Sequence, residues 1–285
     1  MRNIIDRISA EYRNLTKSQQ KVAEYFLNNL NQAALLNSTK IAKCSQVSEA
    51  TVTRFVTSLG FSGFPEFKQK VNEIVYEKFL TPGRLAKSVE AFGREISIVS
   101  EIAKGDIENI QRLTTEIPHQ EFEKAVKTLR SARSMYVLGL RSSYALAFYL
   151  AFNLRFILDN VRVRLIRLGV GDLTEQIHEI DRNDVLVAIS FKRYTRETIR
   201  ITEIIKKKGA SIIAITDNSI SPLAQLSDIS FTVQTQIPTY IESYTAAMCL
   251  INALITSIAL KDKEKALSAL NRLEKDFEEL ETYIG

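Results

Sequence analysis

The amino-acid sequence predicts an all-α N-terminal domain joined to an α/β C-terminal domain that contains a five-stranded parallel sheet. The chain has 285 residues, which exceeds the roughly 100 to 150 residues of a typical domain. Helical patterns follow one another in the first part of the chain, whereas short β-rich runs alternate with helical segments from Ser134 onwards. Such alternation is typical of a doubly wound parallel sheet.

The composition and the charge distribution restrict the class of protein. Apolar residues make up 45% of the chain, enough to form the cores of two domains. Most of the formal net charge of +5 lies in residues 1–80, where eleven Lys and Arg exceed seven Asp and Glu by four. A local cationic excess favours a polyanionic partner, because binding releases counterions. A contribution to solubility alone is the alternative.

The cysteines and the apolar runs indicate the compartment. Cys44 and Cys249 lie far apart and form no disulfide framework, which favours a reducing cytoplasm. Residues 1–6 show no signal-peptide pattern. The longest apolar run, 245–260, is interrupted by polar residues and is shorter than the roughly 20 residues that span a bilayer. We therefore expect a cytoplasmic protein without a membrane partner.

The N-terminal domain begins with helices whose ends carry recognisable caps. The pattern Thr16–Gln19 is a capping box, which predicts a helix to about Asn29 with Val22, Tyr25 and Phe26 on one face. Asn37 or Ser38 can cap a shorter helix. Residues 44–47 would then form a turn, with Val47 filling the gap between helices and Gln46 near the place where a glycine is usual.

The stretch Val47–Gly60 has the pattern of the recognition helix of a helix-turn-helix. Ser48 is a good N-cap, and Gly60 lies where a left-handed C-terminal cap is expected. Four apolar side chains follow helical spacing and would face the core: Val52, Phe55, Val56 and Leu59. Seven others would then point outward: Glu49, Ala50, Thr51, Thr53, Arg54, Thr57 and Ser58.

This outer face suits the major groove of double-stranded DNA. Short side chains allow close approach to base edges, hydroxyl groups can bond to bases or phosphates, and Arg54 can bind guanine or a phosphate. The first turns of the second helix read the bases in a helix-turn-helix. The predicted DNA-binding residues are Ser48, Glu49, Ala50, Thr51, Thr53 and Arg54. A solvated amphipathic helix in a small bundle is the alternative.

The chain from Phe61 onwards predicts a further helix and then a linker. Phe61, Phe64 and Phe67 recur at three-residue spacing, and Pro65 is compatible with the first turn of a helix. The run 81–83, Thr-Pro-Gly, breaks the pattern. We therefore predict three parts: a helix-turn-helix domain at 1–80, a helical linker at 81–122, and an α/β domain at 123–285 that ends in a C-terminal helix.

Five short β-rich runs predict the strands of the sheet. They are Met135–Leu138, Val161–Leu165, Val185–Ile189, Ser211–Ile215 and Ile229–Val233. Helical stretches separate most of them, so the strands should run parallel. Ligands of such sheets bind beyond the carboxyl ends of the strands.

Two of these strand ends carry hydroxyl groups and cations. The segments 139–143 and 190–197 each lead from a strand into a helix. Free N–H groups and the helix dipole favour an anion at such a place, and Arg141, Lys192 and Arg193 would add positive charge. The expected ligand is a phosphate group, and a carboxylate is the alternative. The alternative is that the serines only cap the helices.

These residues carry a resemblance to a known family. Residues 1 to about 78, with Val-Ser-Glu-Ala-Thr-Val-Thr-Arg-Phe followed by Leu-Gly-Phe, resemble the helix-turn-helix domain of the RpiR (MurR/RpiR) transcriptional regulators. Residues from about 123 to 262 resemble the sugar-isomerase (SIS) phosphosugar-binding domain of that family. The resemblance implies a homodimeric or homotetrameric regulator of carbohydrate genes, which binds an operator and a sugar phosphate effector.

The resemblance also implies roles for single residues. Ser142 and Ser143 match the first phosphate loop of SIS domains, and Ser190 and Thr195 match the second. Glu242 lies where these domains often place a carboxylate near the sugar. With the three cations, the predicted ligand-binding set is Arg141, Ser142, Ser143, Ser190, Lys192, Arg193, Thr195 and Glu242.

The chain departs from the family pattern in both loops. Arg141 replaces the second glycine of the first loop, and Lys192-Arg193 replace Ser-Gly in the second. Two interpretations follow: the site takes a more anionic ligand, such as a sugar acid phosphate, or the arginines fill the pocket and bind the partner domain.

The sequence offers little support for catalysis. His119 and His178 lack the spacing of metal ligands, and we find no P-loop, no dinucleotide fingerprint and no hydrolase triad. We therefore expect no metal, no cofactor and no enzymatic activity. The alternative is a sugar phosphate isomerase with an attached basic module, in which Glu242 serves as the base.

Overall fold

A computed structural model describes residues 4–33, 36–79, 81–92, 97–158, 160–167 and 173–284. The chain divides into two compact units. The first consists of Met1–Ile96 and Pro238–Ile241, and the second of Ser97–Ile237 and Glu242–Gly285. The domain limits 1–80, 81–122 and 123–285 stay a prediction.

The first unit is helical throughout its described elements. Its helices are α1 (Ile4–Glu11), α2 (Lys17–Ala33), α3 (Ser38–Cys44), α4 (Glu49–Ser58), α5 (Phe64–Phe79) and α6 (Thr81–Phe92), with a 3₁₀ turn at Tyr12–Asn14. The capping box at the start of α2 is confirmed, because the Gln19 side chain accepts from the Thr16 N–H at 3.0 Å and Thr16 Oγ1 accepts from the Gln19 N–H at 3.4 Å. Asn29, the predicted end of this helix, is the point where α2 is kinked.

The core of the first unit is built around three aromatic rings from three helices. Phe26 of α2, Phe55 of α4 and Phe67 of α5 are fully buried. The centroids of Phe26 and Phe67 lie 4.9 Å apart, and those of Phe55 and Phe67 lie 6.0 Å apart. Burying each ring contributes about 2 to 3 kcal/mol. The apolar side chains that the sequence placed on the inner face of α4 are all buried, as predicted.

Residues 81–83, predicted to break the helical pattern, instead form the first turn of α6. The preceding helix α5 does end before them, at Phe79. They begin a new helix because proline is tolerated in the first turn, where its missing N–H has no partner within the helix. Of the predicted linker, α6 belongs to the first unit, and the next helix, α7 (Ile98–Glu116), belongs to the second.

The second unit alternates strands and helices. Its strands are β1 (Ser134–Gly139), β2 (Arg162–Leu165), β3 (Val185–Ile189), β4 (Ser211–Thr216) and β5 (Ile229–Thr232). Its further helices are α8 (His119–Ser131), α9 (Tyr144–Ile157), α10 (Leu173–Ile177), α11 (Arg196–Lys207), α12 (Pro222–Leu226), α13 (Thr245–Lys261) and α14 (Lys263–Glu279). The strands form one parallel sheet in the order β2-β1-β3-β4-β5.

Helices cover both faces of this sheet. Along β1, Met135 and Val137 pack into one apolar cluster together with α8, α9 and α13, whereas Tyr136 and Leu138 pack into another together with α11 and α12. Side chains of a strand alternate between faces, so β1 is apolar on both sides. The predicted fold class, a doubly wound α/β domain after an all-α domain, is confirmed.

Two helices complete the second unit. In α7, the buried Asn109 donates to the Gln236 carbonyl at 3.0 Å. In α14, the buried residues are Ala266 and Ala269. No single helix in the described residues is both long and apolar enough to cross a membrane; by length and composition only the pair α13 and α14 qualifies, and it bends by 105°.

Candidate functional site

The turn between α3 and α4 depends on Gln46, which adopts a left-handed conformation with φ 55°. The Val47 N–H donates to the Ala42 carbonyl at 2.9 Å, Ala42 is buried, and Val47 packs against the core. The turn predicted for residues 44–47 is therefore present. Gln46 takes the conformation that glycine adopts without strain, at a cost of roughly 1–2 kcal/mol.

The start of α4 is held by two sets of hydrogen bonds. The Ser48 side chain accepts from the Thr51 N–H at 3.3 Å, as expected for the N-cap. The Glu49 carboxylate accepts from Ser38 Oγ at 2.5 Å and from Thr39 Oγ1 at 3.1 Å. Since Ser38 and Thr39 belong to the first turn of α3, Glu49 fixes the position of α4 relative to α3.

The outer face of α4 presents exposed Ser48, Ala50, Thr53 and Arg54. The prediction that Thr51 also points outward is wrong, because this side chain is buried. Its hydroxyl lies 2.9 Å from Ser48 Oγ and accepts from Arg54 Nη2 at 3.3 Å. Thr51 lies beside Val52 at the edge of the buried face, and its hydroxyl orients the guanidinium of Arg54.

In the second unit, the two predicted ligand loops follow neighbouring strands. Gly139 at the end of β1 pairs with Ile189 at the end of β3. A Cβ at position 139 would lie 2.5 Å from the Ser143 carbonyl oxygen and 2.9 Å from Ala147 Cβ. Only glycine therefore allows the start of α9 to lie this close to β1, which brings the free N–H groups of the helix to the sheet edge.

The first loop, residues 140–143, contains one cation and two serines. Arg141 is exposed and has a left-handed backbone with φ 56°. Ser142 is exposed and lies 2.8 Å from the hydroxyl of Tyr244. Ser143 is buried directly before α9.

The second loop, residues 190–195, repeats these features. Ser190 is buried, and its N–H donates to the Ile215 carbonyl at 3.1 Å. Lys192 is half-buried, Arg193 is exposed with φ 65°, and Thr195 precedes α11. Both arginines that replace a family glycine therefore adopt the left-handed conformation that glycine favours.

Tyr244 brings the two loops together. Its hydroxyl contacts Ser142 of the first loop, and its ring stacks on Phe191 of the second with centroids 5.1 Å apart. Glu242 lies two residues earlier and is half-buried. The predicted ligand residues thus lie at one edge of the sheet, on the two loops and on the segment that leads into α13.

The sequence did not identify Tyr194, Asp217 or Tyr244 as residues of this edge. Tyr194 hydrogen bonds with Asp217, Thr216 and Ser221. Burial raises the pKa of the Asp217 carboxyl, although the hydrogen bond from Tyr194 and the charge of Lys192 oppose the shift. Burial and the neighbouring Asp217 also raise the pKa of Tyr194. The position of Asp217 directly after a buried strand was the signal that could have revealed it.

The charges of this edge are partly compensated within the protein. The charge of Lys192 favours the charged form of Asp217. The positive potential that Lys192 offers to a ligand is therefore partly reduced by this carboxyl. Among the described residues, no group of three His, Cys, Asp or Glu side chains could hold a metal ion. The chemistry that this edge offers consists of hydroxyl groups, helix N–H groups and cations, a set that suits an oxyanion.

Comparison with known protein families assigns both units. Residues 2–77 match the helix-turn-helix domain of the rpiR family, and residues 128–257 match the SIS domain. A helix-turn-helix domain followed by a SIS domain defines a class of DNA-binding transcriptional regulators. Within that class, the chain belongs to the RpiR family.

Relatives and solved structures agree with this assignment. The HTH-type transcriptional regulator HexR of Pseudomonas aeruginosa is 27% identical over 273 residues, which cover 92% of this chain and 90% of that protein. The sugar isomerase domain of an RpiR transcription factor from Sphaerobacter thermophilus is 25% identical with a TM-score of 0.59, and covers 62% of this chain and 98% of that one. The Vibrio vulnificus NanR protein, solved with ManNAc-6P, is 20% identical with a TM-score of 0.60, covers 98% of this chain and 99% of that one, and supports the fold.

Proposed function

We propose that this regulator senses a sugar phosphate at the carboxyl edge of its parallel sheet and binds operator DNA through α4. The observation that carries the effector site is the pair of serine-containing loops that Tyr244 joins at the starts of two helices. A phosphate bound there would accept hydrogen bonds from helix N–H groups and from Ser142, Ser143 and Ser190. The ManNAc-6P bound to NanR supports a phosphosugar as the ligand class.

The DNA-binding surface in this proposal is the exposed face of α4. Ala50, Thr53 and Arg54 reach the major groove, whereas Ser48 and Glu49 hold the start of the helix. Thr51 acts through Arg54, because its hydroxyl accepts a hydrogen bond from the guanidinium. The cationic excess of residues 1–80 supplies the nonspecific attraction to the phosphate backbone.

The cations of the loops select the charge of the effector. Arg141 and Arg193 stand at the two positions where the family has glycine, and both are exposed. A ligand with a carboxylate besides its phosphate, such as a sugar acid phosphate, would use this charge. Lys192 contributes less, because it also faces Asp217. Thr195 and Glu242 contact the sugar in this proposal.

The regulator acts as a homodimer or homotetramer in the cytoplasm. The outer side of α9 supports self-association, because Phe148 and Phe152 are 44% and 46% exposed and stack with centroids 5.8 Å apart. In a dimer, two recognition helices read half-sites about 34–36 Å apart, so a small rearrangement changes the fit. An effector that binds one arrangement about 100-fold more tightly shifts the equilibrium by about 2.7 kcal/mol.

The test begins with effectors. Five compounds are screened by thermal shift: glucose 6-phosphate, fructose 6-phosphate, ribose 5-phosphate, N-acetylmannosamine 6-phosphate and 6-phosphogluconate. At 100 times its dissociation constant, a ligand contributes about 2.7 kcal/mol of stability. Protein that shifts with none of them would contradict the proposed site. Interconversion of any of these sugar phosphates during incubation would instead favour an isomerase.

The second part of the test uses duplexes selected from a random pool by the wild-type protein. The double variant Ser143→Ala/Ser190→Ala should bind these duplexes as tightly as the wild type and lose its response to the effector. Ser131→Ala, on the exposed end of α8, is the matched control and should respond normally. A double variant that still responds places the effector elsewhere.

A further inference from the structure

We infer that Tyr244 is the positioning residue that transmits occupation of the effector loops to α7, the helix through which the chain enters the second unit. The inference rests on the proposed effector site. It concerns a different property of that site, namely how binding is passed on. Nothing in the sequence pattern marked Tyr244, which precedes the apolar helix α13.

Tyr244 contacts both loops. Its hydroxyl lies 2.8 Å from Ser142 Oγ, and either atom can be the donor. Its ring stacks on Phe191, which is buried directly after Ser190, at an interplanar angle of 29°. A change in either loop on ligand binding therefore acts on the same side chain.

A bound phosphate would set the direction of the hydroxyl contact. Phosphate oxygens accept hydrogen bonds, so Ser142 must use its single proton as the donor to the ligand. The Ser142 oxygen can then only accept from Tyr244, and the two bonds strengthen each other. The ligand thus converts a bond with two possible directions into one in which Tyr244 donates.

The next residue connects this bond to α7. Thr245, the first residue of α13, donates from Oγ1 to Asp106 Oδ2 at 2.8 Å. The other carboxylate oxygen, Oδ1, is buried and has no hydrogen-bond partner in the part of the chain that the structure describes. The N-terminal end of α13 favours a negative charge at this place. The polar contact between α7 and α13 is therefore made by a carboxylate with one hydrogen-bonded oxygen and one oxygen that has no partner among the described residues.

One turn further along α7, the buried Asn109 donates to the Gln236 carbonyl. Asp106 and Asn109 lie on the same face of α7. Asn109 binds the segment before residues 238–241, and Asp106 binds the segment after them. Of these two attachments, only the Asp106 contact is adjacent to a residue that touches the effector loops. A shift of Tyr244 moves the start of α13 and changes the Thr245–Asp106 contact, and α7 follows.

The experiment separates effector binding from the response to it. Wild type, Tyr244→Phe and Asp106→Asn are titrated with each of the five sugar phosphates, and then with the selected duplexes in the presence and absence of the effector. We expect effector to change the duplex affinity of the wild type by at least about fivefold and that of both variants by less than about twofold. One lost hydrogen bond should weaken effector binding to Tyr244→Phe by no more than about tenfold.

Tyr283→Phe is the matched control, because it removes an exposed tyrosine hydroxyl of the same unit, and it should respond as the wild type does. A full change of duplex affinity with effector in the Tyr244→Phe variant would overturn the inference. Loss of effector binding by this variant would overturn it too, because Tyr244 would then be a ligand contact. If Tyr244→Phe does not fold, a full response in Asp106→Asn overturns it equally. If the wild type binds none of the five compounds, the proposed effector site fails, and the inference fails with it.

Discussion

Four non-glycine residues of the described ranges adopt a backbone conformation that glycine usually supplies, and three of them lie in the motifs considered above. Gln46, Arg141 and Arg193 have φ values of 55°, 56° and 65°. Each stands where the corresponding motif commonly has glycine, one in the turn of the helix-turn-helix and two in the proposed phosphate loops. This chain therefore has longer side chains at these positions than the motifs commonly do, but the backbone follows the path that glycine would give. Strained residues cluster at ligand clamps and switch regions, which agrees with their place at the two proposed functional surfaces.

At the turn, the strain of Gln46 is open to measurement. Gln46→Gly should raise the free energy of unfolding by up to about 1 kcal/mol, because relief of the left-handed conformation exceeds the added entropy of the unfolded chain. Thermal unfolding of the full chain measures the effect. Gln46→Ala keeps the strain and is the control, so it should give no increase. Equal melting temperatures for both variants would contradict the prediction.

Arg54 should contribute to operator specificity. Arg54→Ala is expected to weaken binding to the selected duplex by about 1–3 kcal/mol if the guanidinium reads a base, and fluorescence anisotropy titration measures the change. Lys21→Ala, an exposed cation on α2, is the control and should leave affinity nearly unchanged. An Arg54→Ala protein with wild-type affinity would remove Arg54 from the reading face.

At the scale of elements, the end of β4 carries a polar cluster that supports the second of the two proposed effector loops. Asp217 and Thr216 at the end of this strand contact Tyr194, which lies in the loop after β3. Thr216 also donates to Ser221 at 3.1 Å, and both are buried. The cluster holds the loop against the neighbouring strand, so the position of Lys192 and Arg193 depends on β4 as well as on β3.

This cluster predicts a pH dependence. Because burial raises the pKa of Asp217 above its ordinary value of 3.8, the neutral carboxyl is favoured in the folded protein. Its contribution to stability is complete below that ordinary value and is lost as the pH rises through the raised pKa. The Asp217→Asn variant has no carboxyl to ionise and does not suffer this loss. The difference in melting temperature, variant minus wild type, should therefore increase as the pH is raised from about 3.5 to about 7.

Tyr194→Phe provides the companion measurement. It removes the hydrogen bond that favours the charged carboxyl, so the pKa of Asp217 should rise further. The loss of stability should begin near the same pH but become larger and extend to higher pH. A difference between Asp217→Asn and the wild type that is constant with pH would show that this carboxyl does not titrate in the range.

At the scale of the whole molecule, the proposed dimer requires an apolar surface that a single chain leaves uncovered. The helix α14 packs on α9 and exposes Leu267 and Leu270 by 49% and 39%. Larger apolar patches on soluble proteins commonly mark interaction sites. A stable interface needs about 800 Å² on each partner, so both helices would take part.

The dimer is tested by placing charge on this surface. Phe152→Glu should convert the protein to monomers at micromolar concentration, because moving a carboxylate from water into an apolar interface costs several kcal/mol. Light scattering after size-exclusion chromatography gives the mass of the assembly. The control is Leu280→Glu, on an exposed residue beyond α14. A Phe152→Glu protein of unchanged mass would place the interface elsewhere.

The sequence by itself determined the order of the domains, the five strands, the caps of α2, α3 and α4, and the apolar face of the recognition helix. These features follow from local pattern: the period of apolar residues, capping side chains and turn residues repeat within a few positions. Thr51 was predicted to be exposed, which was wrong. It lies at the border of the apolar face, where burial depends on the position of the neighbouring helices and not on spacing within the helix.

Only the tertiary structure decided which distant residues meet. It joined Ser142 and Phe191 through Tyr244, bound Thr245 to Asp106, and placed Tyr194 beside Asp217. Each of these contacts links residues from separate elements, and no periodic pattern records such a pairing. The physical reason is that the order of the strands in the sheet determines which loops are neighbours at its edge. That order results from packing of the whole domain and not from local sequence.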